Sequence, residues 1–222
     1  MSAPQLIYVF DPLCGWCYAC APALAALAHS WPDRLEMLPS GLFSETGARE
    51  LSPDWARYAW GNDQRIEDMT GQIFSEDYHR DVLLGKNVRF DSALINRALT
   101  AIRAIDPTLE PKLLHELQVA RYIKGRNTAE GSVVAQVAST VASLAGQVLD
   151  ASAFESRLHT DELLADETYT RIQATQRFMN QLNIRGVPQL LLHADGKFEA
   201  IDSSELYQNP APLVDRLRRR LS

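Results

Sequence analysis

Every cysteine of the chain lies in one run, VFDPLCGWCYACAP (9–22), at Cys14, Cys17 and Cys20. Clustered thiols can cycle between dithiol and disulfide, hold a metal ion or iron–sulfur cluster, or lie together on a helix without chemical purpose. Position favours the first. The apolar run LIYVF ahead of the cluster reads as a strand, and the pattern from Cys14 onward reads as a helix. Where a helix begins, unpaired backbone N–H groups and the helix dipole favour an anion. Cys14 is therefore the expected nucleophile, and Cys17, within the first turn, the expected resolving thiol. A CxxC between an apolar strand and a helix points to thiol redox chemistry. A metal or cluster module built on Cys14, Cys17 and Cys20 is the weaker alternative, because no fourth ligand is evident and a helix converges three such thiols poorly.

The elements that must hold these thiols follow from periodicity. LIYVF, a helix over about 14–30 and LEMLP form a βαβ opening, expected to be parallel with a right-handed crossover. From about Glu45 to Asp166 the pattern is helical. Ser52-Pro53 caps one helix. DSALINRALTAIRAID, LLHELQVARYI and SVVAQVASTVASLAG each carry one apolar face, and Ser152 with Glu155 forms a capping box for another helix. The chain ends with a helix beginning near Asp166, a QLLLH/KFEAI hairpin turning at Asp195-Gly196, and an Arg-rich helix.

Composition narrows the function. At 222 residues the chain can bury a full core; 46% hydrophobic and 23% charged residues are ordinary for a globular protein. A net charge of −6, with basic residues concentrated only in the closing RLRRR, argues against nucleic acid as a partner. No apolar stretch reaches the ~20 residues of a membrane span. The N-terminal MSAPQLIYVFD lacks the basic and apolar regions of a secretory signal. The expectation is a cytoplasmic protein, where clustered cysteines more often mean catalysis or metal than a structural disulfide. His115-Glu116 lacks the second histidine of a zinc-binding helix, and SEDYHRD, with His79, reads as a solvated stretch.

The motifs DPLCGWC (11–17), TGQIF (70–74), NTAEGSVVAQVA (127–138) and RGVPQLLL (185–192) resemble the thioredoxin superfamily. Within it they resemble the DsbA-like, protein-disulfide isomerase-like family with a helical insertion, near its FrnE-like cytoplasmic branch. The resemblance implies an α/β, thioredoxin-like fold from residues 1–44 and 166–222, interrupted by an all-helical insertion domain over 45–165. It implies a thiol–disulfide oxidoreductase or isomerase with Cys14 and Cys17 as catalytic residues, supported by Gly15, Trp16, Asp11, Val187 and Pro188. Pro188 would follow a cis bond beside the thiols and leave the Val187 backbone free to pair with an extended substrate. Asp11 could cap the helix or break the strand, or it could shuttle protons near Cys17. Cys20 is either an inert core residue or an auxiliary thiol. Tyr18, Phe43, Trp55 and Trp60 belong to the core or line a groove.

No cofactor is expected beyond the redox-active disulfide and no metal. Glutathione or a thioredoxin-type protein is the expected electron donor, with disulfide-containing proteins or small-molecule thiols as substrates. A glutathione-dependent transferase or isomerase of the kappa-class type is the remaining alternative, weakened because such enzymes generally lack the paired cysteines.

Overall fold

A computed structural model describes residues 5–221. Among these residues six strands form: β1 (Gln5–Phe10), β2 (Leu35–Pro39), β3 (Arg49–Glu50), β4 (Arg89–Phe90), β5 (Gln189–Ala194) and β6 (Lys197–Ile201). The main sheet has the order β2-β1-β5-β6, with β2 parallel to β1 and the other neighbours antiparallel. A central strand covered on both faces needs apolar side chains at both parities, and LIYVF supplies them. Leu6, Tyr8 and Phe10 face the larger core. Ile7 and Val9 face a second cluster with Leu191, Phe178 and Met179. Asp195 and Gly196 turn the β5–β6 hairpin with φ of 51° and 72°, the left-handed pair that matches strand twist.

The β1–β2 crossover is helical in two pieces, α1 (Gly15–Ala19) and α2 (Ala21–Ser30), where the sequence predicts one helix over 14–30. The break falls at Cys20. Pro22 has no N–H to continue the helical ladder and restricts the residue before it. Cys20 becomes the cap of α2, its carbonyl accepting from the Leu24 N–H at 2.9 Å.

Between β2 and β5 come α3 (Pro53–Thr70), a π-helical turn (Tyr78–Leu83), α4 (Ala93–Ile105), α5 (Leu109–Tyr122), α6 (Gly131–Leu144), α7 (Ala151–Thr160) and α8 (Glu162–Gln181). The last helix is α9 (Pro210–Leu221). One buried apolar cluster runs from Tyr8 and Cys17 into Leu99, Leu113, Val134 and Phe154, so the helices and the sheet share a core. The 165/166 boundary expected from the sequence falls inside α8. That helix starts earlier because Asp161 caps it, accepting from the Leu164 N–H at 3.0 Å.

Ser52 caps α3 as expected, accepting from the Trp55 N–H at 3.1 Å. The Ser152–Glu155 box does not form; α7 starts ahead of it, where the Asp150 carboxylate caps the helix by accepting from the Ala153 N–H at 2.8 Å. SEDYHRD is not solvated throughout. Tyr78 is fully buried, and His79 stacks on Trp60 with ring centroids 4.3 Å apart. Among the described residues, no helix is long and apolar enough to cross a membrane.

Candidate active site

The turn after β1 sets the thiols. The Asp11 carboxylate accepts from the Leu13 N–H at 2.9 Å, and the Asp11 carbonyl accepts from the Cys14 N–H at 3.1 Å. Cys14 thereby becomes the extended residue that caps α1, with φ −80° and ψ 116°. Its carbonyl accepts the first helical bond, from the Tyr18 N–H at 3.0 Å. From the insertion, the Tyr122 hydroxyl donates to the Leu13 carbonyl at 2.8 Å. The backbone that carries the Cys14 thiol into the helix is thus fixed from both sides.

All three cysteines are free thiols of unequal access: Cys14 is 8% exposed, Cys17 1% and Cys20 0%. The Cys14 thiol donates to the Val187 carbonyl across 3.7 Å, a contact joining α1 to the segment before β5. The Val187–Pro188 bond is cis; Val187 is half-buried and Pro188 buried. A cleft of about 320 Å³ opens beside Val187, lined by Leu42, Met179, Ile184, Arg185 and Gly186 among others.

Burial raises the Cys17 thiol well above its ordinary value, and the neighbouring Cys14 sulfur adds to this; the Asp11 backbone N–H pulls the other way. Burial likewise raises Cys20, which lies in the core against Tyr8. Cys20 sits where a small apolar side chain would, and a thiol held neutral there is inert. Among the described residues, no group of three or more His, Cys, Asp or Glu side chains is arranged to hold a metal ion.

Asp11 is fully buried, and desolvation lifts its carboxyl to about 6 against the hydrogen bonds it accepts. Besides Leu13, those come from the Phe43 N–H at 3.1 Å and the Ser92 hydroxyl at 3.2 Å. Ser92 in turn meets Ser44 at 2.8 Å, which accepts from the Asn96 side chain at 2.8 Å. No thiol is among the carboxylate's partners; the side chain ties the redox turn to the start of α4.

Trp16 is half-buried with its indole on Tyr207, ring centroids 5.1 Å apart. The other aromatics pack inward: Tyr18 stacks on Tyr122, and Phe43 and Trp55 each meet Phe90 in a T-shaped contact. Gly15 is buried beneath α3. A Cβ there would lie 2.5 Å from Asp63 Oδ1 and 2.9 Å from Ile66 Cδ1, so only glycine fits without a shift.

Two charged residues next to the motif escaped the sequence reading. Asp63 falls on the buried stripe Ala56, Ala59, Asp63, Ile66 of α3. Arg121 falls on the buried stripe of α5 with Leu114 and Leu117. A charge on an apolar stripe was the available signal, and flanking polar residues hid it.

No family model matches the chain, and no curated protein does. Among solved structures it is similar to the cytosolic disulfide reductase DsbM from Pseudomonas aeruginosa, with 29% identity and a TM-score of 0.80 over 97% of this chain and 99% of that one. The structure of that reductase with GSH superposes with a TM-score of 0.78 and 28% identity, over 96% and 99% of the two chains. A 2-hydroxychromene-2-carboxylate isomerase reaches a TM-score of 0.58 at 15% identity over 97% of each chain, which shows a shared fold alone. With a second thiol retained at Cys17, the kappa-class alternative is not favoured. The chain is thus similar to the DsbA-like proteins of the thioredoxin superfamily, and it is a thiol–disulfide oxidoreductase whose thioredoxin-like fold is interrupted by a helical insertion.

Proposed function

We propose that the protein is a cytoplasmic disulfide reductase that draws its electrons from glutathione. The observation that carries this is the asymmetry of the thiol pair: Cys14 caps the helix, is the most exposed of the three thiols and lies against the Val187 carbonyl, while Cys17 is buried behind it. The Cys14 thiolate attacks one sulfur of the substrate disulfide and displaces the other as a thiolate, leaving a mixed disulfide. Cys17 gives its proton to the departing thiolate and attacks Cys14 Sγ, which frees the second substrate thiol and closes the Cys14–Cys17 disulfide. Two glutathione molecules reverse the sequence and leave as glutathione disulfide, carrying away the two electrons' worth of oxidation.

Val187 and Pro188 supply the recognition edge. An extended substrate pairs with the Val187 backbone in a strand-addition mode, and the cleft beside it receives the flanking side chains. Glutathione, a tripeptide disulfide when oxidised, fits such a backbone-reading edge. The likeness to a cytosolic reductase whose structure was determined with GSH supports both the donor and the compartment. Asp11 acts by holding the turn.

The couple is expected at about −200 to −270 mV, well below the about −120 mV of a strong periplasmic oxidant. The dipeptide between the thiols explains this. Gly15 has no side chain, and the Trp16 indole is occupied by Tyr207, so neither offers a charge or donor to stabilise the reduced form. Equilibration with glutathione buffers, quenched by thiol alkylation, gives the value. A couple near −120 mV would make the protein an oxidase, and failure of glutathione to reduce it would move the donor role to a thioredoxin-type protein.

A further inference from the structure

The space that a side chain at position 15 would fill is taken by a carboxylate from the insertion. Asp63 Oδ1 lies 2.5 Å from where a Gly15 Cβ would be, and its other oxygen accepts from the Tyr78 hydroxyl at 3.0 Å. Asp63 is 5% exposed, so that bond holds it in place. Over the same aromatic cluster lies Arg121, 1% exposed, whose three guanidinium nitrogens find no hydrogen-bond partner among the described residues. It rests instead on the rings of Phe90 at 5.2 Å, Tyr78 at 5.5 Å and Tyr122 at 6.0 Å. A fully buried cation without a bonded carboxylate requires compensating negative charge nearby. Two groups near this cluster can supply it: Asp63, and the thiolate that Cys14 becomes when the protein is reduced. Tyr122 connects them, because its hydroxyl holds Leu13, the residue before Cys14, and its ring lies 5.0 Å from that of Tyr78, which holds Asp63.

We propose that Asp63 and Arg121 set the redox potential of the Cys14–Cys17 pair, with Asp63 supplying from the insertion the electrostatic control that Gly15 cannot. This rests on the proposed dithiol cycle. Reduction of the disulfide adds two electrons and one proton when Cys14 ends as thiolate and Cys17 as thiol. An ionised Asp63 opposes the thiolate, so at pH 8 reduction draws one further proton from solvent onto Asp63, and that requirement makes the reduced form less stable. Arg121 acts in the opposite sense. Desolvation raises the Asp63 carboxyl to about 7, against the Tyr78 hydrogen bond, the Arg121 charge and the Asn62 side chain, so its charge changes across neutral pH. The groups facing it are Gly15 of the motif, Asn62 of its own helix, Tyr78 of the π-helical turn, and Arg121 and Tyr122 of α5.

The test is the glutathione equilibrium of the full chain at pH 6 and pH 8, read by alkylation, for the wild type and Asp63→Asn. At pH 8 the variant's equilibrium should move at least tenfold toward the reduced form, which is about 30 mV, with little change at pH 6. An unchanged equilibrium at both pH values overturns the proposal, provided the wild type titrates reversibly; a wild type that does not titrate overturns the dithiol cycle and this inference together. A second measurement needs no variant. The reduced-minus-oxidised infrared spectrum of the wild type at pH 8 should show a buried carboxylic acid gaining its proton on reduction, and a flat carboxyl region overturns the proposal.

Discussion

Cys14→Ser is expected to abolish disulfide turnover, and Cys17→Ser to trap a stable mixed disulfide on Cys14. The two outcomes differ because the two thiols are held differently. Cys14 caps α1 and is the most exposed of the three thiols, with its sulfur 3.7 Å from the Val187 carbonyl, the edge proposed to pair with substrate. Cys17 lies inside the helix, 1% exposed, and burial disfavours its thiolate. An incoming disulfide meets Cys14 first; Cys17 reacts only when a mixed disulfide presents its near sulfur. A serine hydroxyl is too weak a nucleophile to replace either thiol without an adjacent base. Mass spectrometry after incubation with glutathione disulfide decides the matter. Cys17→Ser should carry one glutathione on Cys14, and Cys14→Ser none. An adduct on Cys17 with retained turnover would reverse the roles.

Glu110→Ala should cost about 3–5 kcal/mol of stability. Glu110 is fully buried at the start of α5 and binds Arg171 of α8 at 2.5 Å and Arg103 of α4 at 3.4 Å. Arg171 also donates to the Met37 carbonyl of β2 at 2.5 Å, and Arg103 pairs with Glu36 at 2.9 Å. This network bolts the insertion to the sheet. Without the carboxylate, Arg103 keeps Glu36 and is 31% exposed, so water can compensate it. Arg171, 13% exposed, keeps only a carbonyl, and an uncompensated cation there produces most of the loss. Denaturant unfolding of wild type and variant measures it. A change below about 1 kcal/mol would place the network among pairs that contribute little.

Much of the fold was legible along the chain. LIYVF reads as a strand from its apolar, β-rich run, and the three long helical stripes from Ala93 to Leu144 repeat at the helical period. Boundaries were harder, because they depend on competition between neighbouring caps: Asp150 and Asp161 begin α7 and α8 ahead of the expected starts, and Pro22 divides the helix that carries the thiols. Asp11 could be read either as a shuttle or as a tie, since a buried carboxylate's role depends on which donors reach it. Here they are the N–H groups of Leu13 and Phe43 and the Ser92 hydroxyl.

The sequence by itself determined the chemistry: two thiols one helical turn apart, behind a strand, with a Val-Pro ahead of another strand. Those are local facts, set by spacing, and no distant residue is needed to read them. The tertiary structure decided what each thiol touches and what surrounds the pair. Cys14 lies on Val187, 173 positions away, and Asp63 reaches over Gly15 from a helix that shares no local pattern with the motif. Contacts between distant segments leave no periodicity in the chain. The charge on Asp63 and the bare cation of Arg121 acquire meaning only when packing removes them from water, because the energy of a charge depends on its surroundings rather than on its place in the sequence.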